Sequence, residues 1–179
     1  MIQETADNTG SVFICIASAL TAAAGGVKTA IHGSTAAFSK CRTEACLAAL
    51  GVNPLQSSAR CSELLERVGI CFFSEAFAGP ELPAIQICTE DFESECSIER
   101  ELQSGSPRKT AEMIAAILQG QKGPFRESVL KKAGKVLYTA GKADSIEEGI
   151  RLAGQLIDSE EALETLHRLI EISNRPEER

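Results

Sequence analysis

The sequence is poor in aromatic residues and contains no long hydrophobic run. It has no tryptophan, one tyrosine and two histidines, and aromatic residues make up 4% of its 179 positions. Base-stacking platforms for single-stranded nucleic acids need such rings, so this kind of interface is not expected. A membrane-spanning helix needs about 20 strongly apolar residues. The longest apolar stretch, residues 11–27, is rich in Ala and Gly and predicts a buried helix. The first residues lack a cationic segment, so we expect no secretory signal and a cytoplasmic protein without a membrane partner.

Basic residues are also scarce relative to acidic ones. The 18 Lys and Arg residues face 25 Asp and Glu residues, which gives a formal net charge of −7. Nucleic-acid binding depends on cations that neutralise phosphates, so a nucleic-acid partner is not favoured. The remaining composition, with 44% hydrophobic and 24% charged residues, is that of a globular protein with room for one domain.

The cysteines do not follow a metal-site or redox-motif pattern. Their number is odd, no Cys-x-x-Cys occurs, and the two histidines lie far apart in the chain. We therefore expect reduced cysteines that act as small apolar residues, with a disulfide or a metal site as weaker alternatives. Cys15, near the start of a predicted helix, is also a candidate reactive thiol. The seven positions are Cys15, Cys41, Cys46, Cys61, Cys71, Cys88 and Cys96.

The first half of the chain predicts short buried strands that alternate with helices. The strand candidates, residues 27–31, 70–73 and 84–88, are apolar and bounded by Gly or Pro, and the helix candidates are residues 13–24, 43–50 and 57–68. This alternation predicts the α/β class, with a small, partly parallel sheet flanked by helices.

The second half predicts helices with clear start and stop signals. Pro124 suits a first helical turn, Gly141 suits a helix end, Ser145 with Glu148 forms a capping box, and Ser159 is a candidate N-cap of the last helix. We predict a single domain over residues 1–179. It consists of a mixed α/β part (1–89), a connection (90–107), a helical part (108–173) and a frayed polar tail (174–179).

Two groups of segments carry a resemblance to a known family. The first runs from Ala17 to Gly33 and on to residues 47–52, and the second comprises residues 117–120, 136–143, 148–150 and 157–159. Together they resemble the catalytic α/β domain of the anthranilate phosphoribosyltransferases, which belong to glycosyltransferase family 3 and the pyrimidine-nucleoside-phosphorylase-like superfamily. The resemblance implies a truncated and degenerate phosphoribosyltransferase catalytic domain.

The resemblance also implies a pentosyltransferase reaction. In that family anthranilate attacks C1 of phosphoribosyl pyrophosphate (PRPP), and Mg²⁺ holds the diphosphate. The reaction needs a Gly-rich loop whose N–H groups cradle the diphosphate, and carboxylates that bind Mg²⁺. PRPP and Mg²⁺ are thus the substrate and cofactor implied by the family, and tryptophan biosynthesis is the implied pathway.

The matched positions depart from the family pattern. The Gly-rich loop of the family falls on residues 3–8. Asp7 is retained there, but none of the glycines of the motif is present. The family's Asn-Ile-Ser-Thr falls on residues 13–16, Phe-Ile-Cys-Ile, and the lysine of its Lys-His-Gly-Asn falls on Ile31. The metal-binding Asp-Glu pair and the anthranilate-contacting arginine lie in a stretch that is missing between about Ile85 and Glu90, and the helical N-terminal domain is not found. Losing about four hydrogen bonds to charged groups removes roughly 6–12 kcal/mol, whereas micromolar binding is worth about 8 kcal/mol.

Several polar residues remain as candidate ligand contacts. Each has a structural alternative: His32 binds a ligand at a strand end or is a hydrogen-bonded structural residue, and Lys40 holds a phosphate or is a solvated loop residue. We assign no catalytic residue and no metal ligand. The candidates are Asp7, Ser11, His32, Gly33, Ser34, Thr35, Ser39, Lys40 and Thr43.

The sequence therefore predicts an anthranilate phosphoribosyltransferase-like protein with lost or strongly reduced catalysis. The alternatives are a non-catalytic binding or partner-subunit module, an enzyme completed by another chain, and, least favoured, a nucleic-acid-binding module. Since missing core strands would leave apolar edges exposed, we also expect self-association.

Overall fold

A parallel β-sheet and seven helices make up the described part of the protein, for which a computed structural model was obtained. The structure describes residues 2–3, 9–32, 37–73, 87–88 and 106–176. The strands are β1 (Ile2–Gln3), β2 (Thr29–His32), β3 (Ile70–Phe73) and β4 (Ile87–Cys88). The helices are α1 (Thr9–Ala24), α2 (Ala37–Ala49), α3 (Ser58–Arg67), α4 (Pro107–Leu118), α5 (Pro124–Thr139), α6 (Ile146–Asp158) and α7 (Glu161–Ser173).

The sheet has the strand order β3-β2-β1-β4, and its described pairs are all parallel. Thr29 pairs with Ile70 at one end of the β2–β3 ladder, and His32 pairs with Phe73 at the other. β1 lies between β2 and β4, with Ile2 opposite both Ile31 and Ile87. The predicted α/β class with a helical C-terminal region is confirmed.

Helix α1 forms the centre of the fold. All its side chains from residue 13 to residue 23 are buried, because the helix packs against β2 and β3 and against α4, α5, α6 and α7. The many alanines allow this close approach on every side. Its two buried hydroxyls are satisfied, since Ser18 donates to the carbonyl of Val129 at 3.2 Å and Thr21 donates to that of Ala17 at 2.9 Å.

Helices α5 and α6 pack in direct backbone contact. A Cβ added at Gly149 would lie 2.3 Å from the carbonyl oxygen of Gly134, and one added at Gly134 would lie 2.5 Å from the amide nitrogen of Ile150. This crossing is possible because both positions lack a side chain. Beside it a second apolar cluster joins the two helices to the end of α1.

Most predicted helix signals are confirmed. Ser145 caps α6 by accepting from the N–H of Glu148 at 3.1 Å, although the Glu148 carboxylate accepts from Asp144 and not from Ser145, so half of the predicted capping box forms. Ser57, where the helix predicted over 57–68 starts, caps α3 by accepting from the N–H of Arg60 at 3.2 Å. Pro124 occupies the first position of α5, and Gly141 follows that helix with φ of 68°.

The predicted cap at Ser159 is wrong. Glu160, with φ of 64°, is the N-cap of α7 and makes no side-chain capping bond. The hydroxyl of Ser159 donates instead to Oε1 of Glu161 at 2.8 Å. A left-handed residue between the two helices thus turns the Ser159 side chain away from the capping position.

Some element boundaries differ from the predictions. The strand predicted at residues 27–31 begins at Thr29, because the N–H of Val27 bonds to the carbonyl of Ala22 at 3.1 Å in the turn that ends α1. Helices α1 and α2 begin at Thr9 and Ala37, ahead of the predicted starts at residues 13 and 43, and β1 was not predicted. The predicted strand at 84–88 is described only at 87–88, as β4.

The tail predicted to fray from residue 174 is held as far as Pro176. Asn174 donates to the carbonyl of Gly51 at 2.8 Å, and Arg60 donates to the carbonyls of Arg175 and Pro176 at 2.9 and 3.3 Å. Residues 177–179 lie outside the described part, as does most of the predicted connection at 90–107. Among the helices of the described ranges, none has the length and apolar character needed to cross a membrane.

Candidate functional site

The strand order places a candidate site at the carboxyl edge of the sheet. β2, which follows β1 and α1 in the chain, pairs with one edge of β1, and β4 pairs with its opposite edge. In open parallel sheets ligands bind outside the carboxyl ends of the strands, at the point where the connections change direction. That point lies between β1 and β4, beside the ends of Gln3 and Cys88.

Two helix N-termini lie at the same edge. Helices α1 and α2 follow β1 and β2 directly, so both begin where those parallel strands end. A helix N-terminus carries unpaired N–H groups and a partial positive charge, which favour an anion. Neither first turn contains an acidic residue that would oppose one.

The described candidate residues belong to elements that meet at this edge. Ser11 lies near the start of α1, His32 ends β2, and Ser39 and Lys40 lie in the first turn of α2. Thr43 lies one turn further along α2 with its side chain buried. The other four candidates, Asp7, Gly33, Ser34 and Thr35, lie outside the described residues. Their roles, and those of the five placed residues, stay predictions.

The positions matched to the family's Asn-Ile-Ser-Thr are filled by core side chains. Phe13 is fully buried and makes an edge-to-face contact with Phe125, with ring centroids 5.8 Å apart. Cys15 and Ile16 are 3% and 1% exposed. These side chains therefore stabilise the packing of α1 against its neighbours and offer no hydroxyl or amide to a ligand.

A buried lysine next to Cys15 was not predicted. Lys132 of α5 is 8% exposed, and its Nζ lies 2.7 Å from Sγ of Cys15. The sequence carried a signal for its burial, because Lys132 stands three residues after Val129 and four before Val136, on the buried face of α5. The pair places a cation beside the first half of α1.

Of three further buried thiols, two have a raised pKa, whereas the hydrogen bond with Cys71 lowers the pKa of Cys61. Burial raises the pKa of Cys46 to about 12. The thiol of Cys71 is hydrogen-bonded to Cys61, and that bond together with burial raises the pKa of Cys71. Cys61 in turn donates to the carbonyl of Phe72 at 3.5 Å. The four cysteines with described side chains are buried and form no disulfide, as expected for small apolar residues.

The described residues do not provide a magnesium site. Within them no group of three or more His, Cys, Asp or Glu side chains comes together in a way that could hold a metal ion. The donor set present in this part of the chain therefore does not fit the Mg²⁺ that the resemblance implies, and no metal-dependent step follows from it.

The chain matches a family model over most of its length. The model is described as the glycosyl transferase family, a/b domain, and it matches residues 6–89 and 79–163. The chain belongs to this family. The two matched segments meet at residues 79–89, the region in which the sequence predicts a missing stretch.

Curated relatives in the glycosyl transferase family confirm the resemblance to anthranilate phosphoribosyltransferase. The anthranilate phosphoribosyltransferase of Methanobrevibacter smithii is 46% identical over 93 residues, which are 52% of this chain and 28% of the relative. That of Desulfitobacterium hafniense strain DSM 10664 / DCB-2 is 47% identical over 74 residues, 41% of this chain and 22% of the relative. The matched segments thus span about a quarter of these relatives.

A solved glycosyl transferase-family structure shows the same fold. The chain superposes on anthranilate phosphoribosyltransferase from Thermus thermophilus with a TM-score of 0.73 and 24% identity, over 90% of this chain and 73% of that one. Most of the α/β architecture is therefore shared.

Proposed function

We propose that this protein retains an anthranilate phosphoribosyltransferase fold but has lost, or strongly reduced, phosphoribosyl transfer from PRPP to anthranilate. The burial of Phe13, Cys15 and Ile16 in the core carries this proposal. The resemblance places polar ligand contacts at these positions, at the start of the helix that follows β1.

The energetic consequence of these replacements is large. A hydroxyl or amide that contacts a charged phosphate contributes about 1.5–3 kcal/mol, and none of the three side chains now present can make that contact. The Phe13 ring also packs against Phe125, so turning it toward the sheet edge would open a cavity in the core. The lost polar contacts and the cost of moving Phe13 both disfavour binding of PRPP in the family's manner.

Part of an anion site is retained at the carboxyl edge. The N-termini of α1 and α2 attract negative charge, and the first turn of α2 carries Lys40 next to Ser39. His32 ends the adjacent strand. We infer that a phosphorylated small molecule binds here more weakly than PRPP binds to an intact family enzyme.

The test of catalysis is a fluorescence assay of anthranilate consumption with PRPP and Mg²⁺. We expect no rate proportional to the concentration of this protein, with an intact anthranilate phosphoribosyltransferase as the positive control. A proportional rate that disappears in the His32→Ala and Lys40→Ala variants would show that the site is catalytic and would overturn the proposal.

Calorimetry tests the retained phosphate site. We expect weak, saturable binding of PRPP that is reduced in Lys40→Ala and kept in Lys109→Ala. Lys109 is a matched control, because it also lies in the first turn of a helix, α4, and is exposed. Absence of heat at millimolar PRPP, or equal binding by both variants, would exclude the inferred role of Lys40.

A further inference from the structure

Arginines line both sides of the seam between α3 and α7. Arg60 and Arg67 stand seven residues apart on α3, and the same spacing separates Arg168, within α7, from Arg175, just beyond its end. The two elements run antiparallel, because Arg60 bonds to the carbonyl of Arg175 while Arg168 bonds to that of Arg67. Their backbones therefore lie in two levels, roughly 10 Å apart at 1.5 Å per helical residue. The side chain of Arg67 reaches back toward Arg60, because both contact the carboxylate of Glu63.

A cavity opens along this seam. It has a volume of about 460 Å³ and is lined by Ser57, Ala59, Arg60, Glu63, Arg67, Arg175 and Pro176. Three arginines and one glutamate thus surround one space, on a chain whose formal net charge is −7. The lining residues belong to α3, its N-cap and the segment after α7, whereas the sequence-predicted site residues stand between positions 7 and 43 of the chain.

The guanidinium of Arg60 is held in one position beside the cavity. The Arg60 side chain is only 9% exposed and donates to Oε2 of Glu63 at 2.7 Å and to the carbonyls of Arg175 and Pro176. These contacts join α3 to the segment that follows α7, on the two sides of the cavity. Since Glu63 balances the charge of Arg60, the positive excess of the lining comes from Arg67 and Arg175.

The two other arginines retain hydrogen-bonding capacity. Arg67 is 52% exposed and uses one nitrogen for Glu63, and Arg175 is 39% exposed and uses one nitrogen for Glu171. A guanidinium has five N–H donors in a planar fork, so within the described residues most donors of both side chains are uncommitted. The first-turn N–H groups of α3, beside Ala59, add partial positive charge to the same space.

We propose that this cavity is a binding site for a small molecule that carries a phosphate or pyrophosphate group. Guanidinium forks match phosphate oxygens in a bidentate manner, and a doubly charged anion can use Arg67 and Arg175 at once. The volume falls within the range of small-molecule sites, which favours a metabolite over an acidic protein segment.

The test is calorimetry of the full chain with sodium pyrophosphate, without added metal, against sodium chloride at equal ionic strength. We expect saturable binding that persists in Lys40→Ala, which lacks the cation of the inferred sheet-edge site, and an affinity at least about tenfold weaker in the Arg67→Ala/Arg175→Ala double variant. Arg108→Ala is the matched control, because Arg108 forms a similar exposed i,i+4 ion pair with Glu112 on α4. Arg60 is left unchanged, and thermal unfolding confirms that each variant folds.

Three results would overturn the inference: no saturable heat, equal affinity in the double variant, or tighter binding of a poly-glutamate peptide than of pyrophosphate. Loss of binding in His32→Ala or Lys40→Ala, with binding kept in the double variant, would also overturn it by placing the anion at the sheet edge. That last result would leave the proposed function intact, so the two proposals fail independently.

Discussion

Cys46 lies on α2 with its side chain 2% exposed, and burial raises its pKa from 9.0 to about 12. Below pH 9 the thiol is protonated in the folded and unfolded states alike. Above pH 9 the unfolded thiol ionises while the folded thiol keeps its proton. The contribution of this group to stability is therefore lost as the pH rises from about 9 to about 12.

We expect this loss to reach about 1.4 kcal/mol at pH 10, one unit above the unfolded pKa. The measurement is urea unfolding at pH 8 and pH 10 for the natural protein and for Cys46→Ala, whose stability should fall less over that interval. At pH 8 Cys46 should also resist iodoacetamide until the chain unfolds. Equal pH dependence of the two proteins would contradict the assignment.

Replacement by alanine should have opposite effects on stability at Gly149 and at Gly154, although both residues lie on α6. At Gly149 a Cβ would lie 2.3 Å from the backbone oxygen of Gly134, so alanine must push α5 and α6 apart. At Gly154 the nearest atom, Cδ2 of Leu130, is 4.0 Å away. We expect Gly149→Ala to destabilise by about 2 kcal/mol or more and Gly154→Ala to stabilise by about 0.5–1 kcal/mol.

Chemical denaturation of the two variants measures both effects. The sign of the difference is the decisive quantity, because a general alanine effect on helix propensity would stabilise both proteins. A stable Gly149→Ala protein would show that the two helices do not cross in backbone contact.

At the scale of elements, Arg126 joins three helices. It lies in the first turn of α5, is 7% exposed, and donates to the carbonyl of Gly120 after α4 at 3.1 Å and to Oδ1 of Asp158, the last residue of α6, at 2.7 Å. The carboxylate of Asp158 is 61% exposed, so solvent screens much of the ion pair. The bond to the carbonyl of Gly120 should therefore matter more.

We expect Arg126→Met to cost about 1–3 kcal/mol of stability and Asp158→Asn less than about 1 kcal/mol. Thermal unfolding at low and at 1 M salt separates the two contributions, since only the ion pair is weakened by salt. An equal cost for both substitutions would mean that the ion pair dominates.

Patterns in the sequence predicted the elements whose signals are local. Pro124, Gly141 and Ser145 act where predicted, because capping and turn chemistry depend on neighbouring residues. The pair of residues in β1 could not be found this way, since a two-residue strand has no periodicity and forms only through its neighbours in the sheet. The first half of α2 was missed because residues 37–42 form no apolar stripe.

The residues proposed for the candidate site stay predictions, and only the elements that carry them can be compared with the fold. Matching to the family placed His32 and Lys40 at elements that meet at the carboxyl edge, which the parallel topology supports. The contact of Lys132 with Cys15, residues 117 positions apart, depends on how α5 packs on α1. The arginine seam between α3 and α7 was missed for the same reason, since two separate helices contribute its charges.

For the whole molecule, we expect self-association through the sheet. In the described part β3 and β4 are the outer strands, and an outer strand presents unpaired N–H and C=O groups to another chain. The described surface offers little else that is apolar, because its exposed large hydrophobic residues are Leu55, Tyr138 and Ile146. The formal net charge of −7 opposes contact between two copies.

Light scattering over a range of concentrations should therefore show a mass that rises above the 19.1 kDa of one chain. Raising the salt concentration should strengthen the association, because screening removes the repulsion between like-charged chains while leaving backbone pairing intact. The Tyr138→Ser and Ile146→Ser variants should associate as the natural protein does, since these side chains belong to α5 and α6 and not to the sheet. A constant mass of one chain at every salt concentration would refute the prediction, and loss of association in either variant would move the contact from the sheet to the helical surface.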